Sequence, residues 1–222
     1  DEDRKKHLQD YEFIDKSDVY YLELEPQETE SVTIKLENIG KKTWGKETYL
    51  LVNKNSKHEG VVSFPKKEGI RLAEMKESQV KPGSAGTFTF QIEAGEKTNL
   101  IFLDLTVVVD GERKITDYKV LPVKVNAPIY TYEVTDIDYP PKVMAPGDKF
   151  EGKIKLKNTG NITWKRFGKN RVVVTLNGKT VGIMAEKETG EDDYATFKYA
   201  YTAPEAPGQY YGEFQIEYRG DG

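Results

Sequence analysis

Val32-Thr33-Ile34-Lys35-Leu36-Glu37-Asn38-Ile39-Gly40-Lys41-Lys42-Thr43-Trp44 returns 120 positions later as Gly152-Lys153-Ile154-Lys155-Leu156-Lys157-Asn158-Thr159-Gly160-Asn161-Ile162-Thr163-Trp164. Both tryptophans of the 222-residue chain fall at the same place in this repeat. Within each copy apolar and polar residues alternate, Val32, Ile34 and Leu36 against Thr33, Lys35 and Glu37. A period of two sends successive side chains to opposite faces of a strand, one buried and one wet. Further on, Phe88-Thr89-Phe90-Gln91-Ile92 matches Phe197-Lys198-Tyr199-Ala200-Tyr201 at an offset of 109. The same offset carries Leu105, Val107 and Val109 onto Phe214, Ile216 and Tyr218, and Gly111 onto Gly220. The first copy therefore holds 11 more residues between its tryptophan and Phe88. Upstream, Tyr11-Glu12-Phe13 resembles Tyr132-Glu133-Val134, so the first copy starts near residue 9 and residues 1–8 form a charged leader.

The alternating runs are punctuated by turn chemistry: Lys81-Pro82-Gly83, Val109-Asp110-Gly111, Ala145-Pro146-Gly147, Asn177-Gly178 and Ala206-Pro207-Gly208. Short strands at regular spacing, without a long helical pattern, predict an all-β chain of antiparallel sandwiches. Residues 63–76 are the main irregular stretch and predict a short helix or an extended loop. Asn126-Ala127-Pro128 separates the copies, giving domains over 9–126 and 127–222 set end to end. A strand from Tyr118 to Val125 closes the first, with Pro122 at an edge or bulge because it cannot donate to a ladder. The counterpart of that strand would occupy positions 223–234, so the second domain is expected to lack its last strand. Its neighbour, Gly212 to Tyr218, is then left with an open edge.

Composition removes whole classes of function. Lys plus Arg number 33 and Asp plus Glu 37, a net charge of −4, which argues against a dedicated nucleic-acid binder. A hydrophobic fraction of 37% suits two small domains better than one large core. No apolar run reaches the roughly 18 residues of a membrane span, so direct membrane insertion is not expected. Cysteine is absent, which excludes disulfides, thiolate metal sites and Cys nucleophiles. His7 and His58 read as solvated surface residues, and neither stands near one of the six serines in a nucleophile motif. No Gly-rich phosphate loop is present, so no cofactor and no catalysis are expected. Calcium has only weak candidates, Asp136 and Asp138 near the domain junction, with Glu191-Asp192-Asp193 further off.

The run Asn-x-Gly-x-x-Thr-Trp after an alternating strand resembles the immunoglobulin-like "four-tryptophan" domain of a selective-autophagy cargo receptor. Similar domains occur in bacterial and archaeal surface proteins, and Asn158-Thr159-Gly160-Asn161 also resembles a turn common in prokaryotic envelope modules. The resemblance covers nearly the whole chain and implies two tandem immunoglobulin-like β-sandwiches. Each copy carries one tryptophan rather than several, so the cargo-receptor role does not transfer with the fold. The signature residues are Asn38, Gly40, Thr43 and Trp44, and Asn158, Gly160, Thr163 and Trp164. Read bottom-up, the glycines supply positive φ in the loop, the asparagines bond their own loop backbone, and the tryptophans plug the cores.

Three further motifs have plain structural readings. Asn161-Ile162-Thr163 is an N-glycosylation triplet in a surface loop. Arg219-Gly220-Asp221 matches the tight turn at Asp110-Gly111. Tyr20-Tyr21 and Tyr210-Tyr211 are pairs in which alternation forces one ring outward, the best hint of a contact strip. The expected role is a non-catalytic adhesion or spacer segment of a prokaryotic cell-surface or secreted protein. Its partner is a protein or a cell-envelope polysaccharide, with strand donation from a neighbouring chain as an added mode. The rival readings are an intracellular protein-interaction module and a carbohydrate-binding accessory domain of a larger enzyme. Lack of cysteine suits both an envelope and the cytosol.

Overall fold

The computed structural model describes residues 10–53, 58–64, 71–111, 113–115 and 118–219. The leader and His7 lie outside the described residues. The chain divides after Ala127 into two compact units. Among the described residues every regular element is a strand, and no helix is long and apolar enough to cross a membrane, which says nothing of β-barrels.

Unit 1 contains β1 (Phe13–Asp15), β2 (Leu22–Leu24), β3 (Thr29–Asn38), β4 (Tyr49–Val52), β5 (Val62–Ser63), β6 (Arg71–Glu74), β7 (Ala85–Ala94), β8 (Asn99–Val109), β9 (Arg113–Lys114) and β10 (Lys119–Val125). One sheet runs β1-β3-β7-β5, the other β2-β10-β8-β4-β6, with β9 folded onto β8. The alternating residues behave as their period requires: Val32, Ile34 and Leu36 are buried opposite Phe90, Phe88 and Gly86. They pack with Leu103, Leu105, Val107, Leu121, Val123 and Val125 of the second sheet in one core. The pairing is antiparallel except where β2 runs parallel to β10.

Unit 2 contains β11 (Tyr132–Ile137), β12 (Lys149–Asn158), β13 (Trp164–Lys165), β14 (Arg171–Leu176), β15 (Lys179–Met184), β16 (Glu188–Thr189), β17 (Tyr194–Thr202) and β18 (Phe214–Arg219). Its layers join through β15, which pairs with β14 on one side and β17 on the other. β18 pairs with β14. Across the described residues the chain is thus all-β, an immunoglobulin-like sandwich repeated twice.

Several local expectations need correction. Where a short helix or an extended loop was expected over 63–76, Ser63 ends β5 and Arg71–Glu74 form β6, with 65–70 outside the described residues. The extra chain of the first copy lies between β4 and β6, where unit 2 uses only the Asn177-Gly178 turn. Both turn residues there have positive φ, as do Asp110 and Gly111 in unit 1, the geometry of a tight hairpin. The N-terminal alignment shifts by two, because Phe13 faces Asn38 as Tyr132 faces Asn158. Pro122 is on an interior strand, but β2 pairs β10 only from Val123 onward, so no ladder bond is lost on that flank.

One tie across unit 1 has no motif in the sequence. Lys119 is buried on β10 and its ammonium donates to Asp15 on β1 and to the Val19 carbonyl at 3.0 Å. Burial alone would raise the Asp15 pKa, but hydrogen bonds from Lys119 and Ser17 outweigh it and hold the carboxyl below its ordinary value near 3.8. Asp15→Asn should lower stability by about 2–3 kcal/mol at neutral pH, under the cost of halving a fully buried pair. Because the native pKa is depressed, this contribution is complete above the unfolded value and fades as pH falls through the native one. The calorimetric melting gap between wild type and variant should be full near pH 6 and close below about pH 4.

Candidate functional site

Asn38 ends β3 with its amide fully buried. Its Nδ2 donates to the carbonyls of Lys42 at 2.8 Å and Val80 at 3.0 Å, while its Oδ1 accepts from the Gly40 amide at 3.1 Å. Asn158 repeats the set, to Ile162 at 2.9 Å, Thr189 at 3.2 Å and from Gly160 at 3.0 Å. One side chain thus closes its own loop and ties it to the segment that precedes β7 or β17. Beside that tie, Trp44 exchanges backbone bonds with Val80 and is fully buried, and Trp164 faces Thr189 and is buried too.

The glycines work differently from the sequence expectation. Neither Gly40 nor Gly160 has positive φ. A Cβ on Gly40 would lie 2.6 Å from the Asp10 carbonyl oxygen, and one on Gly160 only 2.0 Å from that of Ile129. Close backbone approach by the chain leading into β1 and β11, not left-handed conformation, requires glycine there. Thr43 is exposed and Thr163 half-buried. The repeated motif is therefore a fastening of the fold.

The remaining candidates disperse. Asp136 is exposed, while the Asp138 carboxylate accepts from the Lys153 amide at 3.1 Å and its carbonyl accepts from the Tyr199 hydroxyl. Burial, with the Asp138 charge second, pushes the Tyr199 pKa up. Asp192 pairs with Lys157 at 2.6 Å. Among the described residues no cluster of three His, Cys, Asp or Glu could hold a metal. His58 is half-buried with its ring edge-on to Phe64, 5.4 Å between centroids, rather than solvated. Asn161 accepts from the Ile129 amide at 2.7 Å. Arg219 ends β18, and Gly220 and Asp221 lie outside the described residues. The tyrosine pairs sit outside strands, so alternation does not apply and both rings of each pair are exposed.

What the sequence reading missed is a face. On the outer side of unit 1's second sheet, Phe102 lies directly opposite Pro122, Leu100 opposite Lys124 and Asp104 opposite Val120. Phe102 is 55% exposed, Leu100 48% and Val120 42%, with exposed Tyr118 just before β10. Leu100 and Phe102 break the apolar-in, polar-out alternation of β8, and that break was visible in the sequence. Two other outward rings carry a cation over them, Tyr49 with Arg71 at 4.2 Å and Tyr194 with Lys155 at 4.6 Å.

Fold and faces together define a tandem immunoglobulin-like β-sandwich protein. No family model matches the chain, and no curated protein does. Among solved structures it is similar to the secreted serine protease VesC from Vibrio cholerae, at 12% identity and a TM-score of 0.31 over 99% of this chain and 52% of that one. It is also similar to the fibronectin(III)-like modules of Clostridium thermocellum CbhA, at 14% identity and 0.26 over 92% of both chains. A third likeness is to the class 5 fimbriae chaperone CfaA, at 10% identity and 0.27 over 93% of this chain and 99% of that one. This chain spans about half the length of the first. At these scores the likenesses bring no function with them.

The fastening makes a graded prediction. Asn38→Ala, which removes three side-chain hydrogen bonds from the loop, two of them buried, should cost about 2–4 kcal/mol. Trp44→Ala and Trp164→Ala should each cost about 3–5 kcal/mol. Thr43→Ala, on the exposed side of the same motif, should stay within about 0.5 kcal/mol. Urea unfolding of the four variants checks the order, and a costly Thr43→Ala would refute it.

Proposed function

We propose that the chain is a non-catalytic binding and spacing segment of a prokaryotic cell-surface or secreted protein, engaging a protein partner through the outer face of β8 and β10. The observation that carries this reading is the exposed apolar group Leu100, Phe102 and Val120 with Tyr118 beside it. Large apolar side chains gathered on one wet sheet face cost solubility and are a mark of contact surfaces. Two of the four, Leu100 and Val120, are aliphatic, which suits a protein partner. Sugar binding relies on flat rings that stack, and only Phe102 and Tyr118 are rings here. Three of the four signature residues in each repeat, the Asn, the Gly and the Trp, lie buried inside the fold, which supports a scaffold role. The tandem Asn-x-Gly repeat, with its resemblance to envelope modules, supports a place at the cell surface.

The test is binding of the immobilised chain to purified envelope and matrix proteins, and to wall polysaccharides on a glycan array, beside a Phe102→Glu/Val120→Lys variant. Both changes are on the wet face, so the melting temperature should hold within a few degrees. A protein ligand retained by the wild type and lost tenfold or more by the variant is the expected result. Equal binding by both proteins, or binding to polysaccharide alone, would overturn the reading.

A further inference from the structure

The two copies of the repeat differ in length just after the tryptophan. The offset is 120 at Trp44 and Trp164 but 124 at Asn53 and Asn177. Those asparagines are in register, because the Asn53 amide donates to the Asp104 carbonyl at 2.8 Å and the Asn177 amide to the Glu213 carbonyl at 3.1 Å. Unit 2 therefore carries four extra residues in Lys165-Arg166-Phe167-Gly168-Lys169-Asn170-Arg171, where unit 1 has Gly45-Lys46-Glu47. Four of those seven side chains are cations and none is an acid, in a chain whose net charge is −4.

The extra residues form a built projection. The Lys165 amide donates to the Asn170 carbonyl at 2.9 Å and closes the loop, while Gly168 and Asn170 take the positive φ values that turn it, 74° and 66°. Arg166 fastens the base: its amide donates to the Lys187 carbonyl at 3.0 Å and its Nε to the Met184 carbonyl at 2.7 Å. Its guanidinium also lies 5.5 Å from the Phe167 ring centre. At the tip Phe167 is 66% exposed, and a Cβ on Gly168 would meet no atom within 4 Å, so the surface there is convex. Lys165, Lys169 and Lys187 are exposed beside it, and Arg171 lies opposite Arg219. Among the described residues the acids on the flanking segments are Glu188, across from Lys165, Glu217, bound to Arg219 at 2.7 Å, and Glu186, bound to the Thr196 amide at 2.8 Å.

We infer that residues 165–171 dock the chain on an anionic lipid bilayer, with the Phe167 ring at the level of the headgroups and Lys165, Lys169 and Lys187 on the lipid phosphates. Charge and shape choose this occupant together. The cations call for a polyanion, and each adds attraction close to a negatively charged surface. An exposed ring among them costs solubility unless an apolar medium takes it, and a bilayer supplies that medium directly beneath its phosphates. A single nucleic-acid strand is held instead in a charged groove lined by stacking rings, and a convex tip with one ring offers neither. The loop lies on the membrane surface and does not span it. Unit 1's counterpart, balanced at Lys46 and Glu47 and without a large apolar side chain, lacks both elements. The inference is independent of the β8–β10 face, which belongs to unit 1.

The test is sedimentation of the full chain with vesicles of phosphatidylcholine alone, and of phosphatidylcholine mixed equally with phosphatidylglycerol. Binding to the anionic vesicles, absent on the neutral ones and weakened as salt screens the charges, is the expected result. Lys165→Gln/Lys169→Gln and Phe167→Ala should each bind at least tenfold more weakly with an unchanged melting temperature. Lys35→Gln/Lys153→Gln, at exposed strand positions elsewhere, should bind as the wild type does. Because Trp44 and Trp164 are buried, the added indole of Phe167→Trp reports on the tip, and its emission should move to the blue with anionic vesicles. No binding to anionic vesicles, equal binding by the loop variants and the wild type, or an unmoved emission in the bound protein would overturn the proposal. Binding of soluble polyphosphate that is lost in the same loop variants, without vesicle binding, would overturn it in favour of an anionic polymer.

Discussion

Each unit depends on one buried carboxamide. An Asn side chain offers two donors and an acceptor, and leaving them unmet inside a core costs more than the bonds return. Asn38 and Asn158 meet all three roles with backbone groups from two chain segments that are far apart in sequence. That satisfies the amide and fixes the loop, and the loop fixes where the tryptophan enters. Trp44 and Trp164 then fill the space between the layers, with the nearby chain pressed so close that Gly40 and Gly160 have no room for a Cβ. Small residue, amide and large ring are thus one device.

The second constraint is β10. In unit 1 it completes the sheet, buries three branched side chains, and delivers Lys119 to Asp15. In unit 2 the residue in Asp15's register is Val134, opposite Leu156 as Asp15 is opposite Leu36, and it is exposed. The cation site and the covering strand go together in unit 1.

The repeat, the period of two and the Pro-Gly and Asn-Gly turns made the architecture legible, because each is a local rule that tertiary context seldom reverses. Ser84 and Asp148 close the expected turns by donating to Lys81 and Ala145 at 3.0 Å. What was not legible depended on distance. The closeness of Asp10 to Gly40 is set by where β1 docks, so the glycine's reason read as φ when it was contact. Nothing local marks Lys119, because its burial against Asp15 needs a contact across 104 residues. The contact face was half-legible: Leu100 and Phe102 violate the β8 alternation, but their clustering with Val120 requires the β8–β10 register.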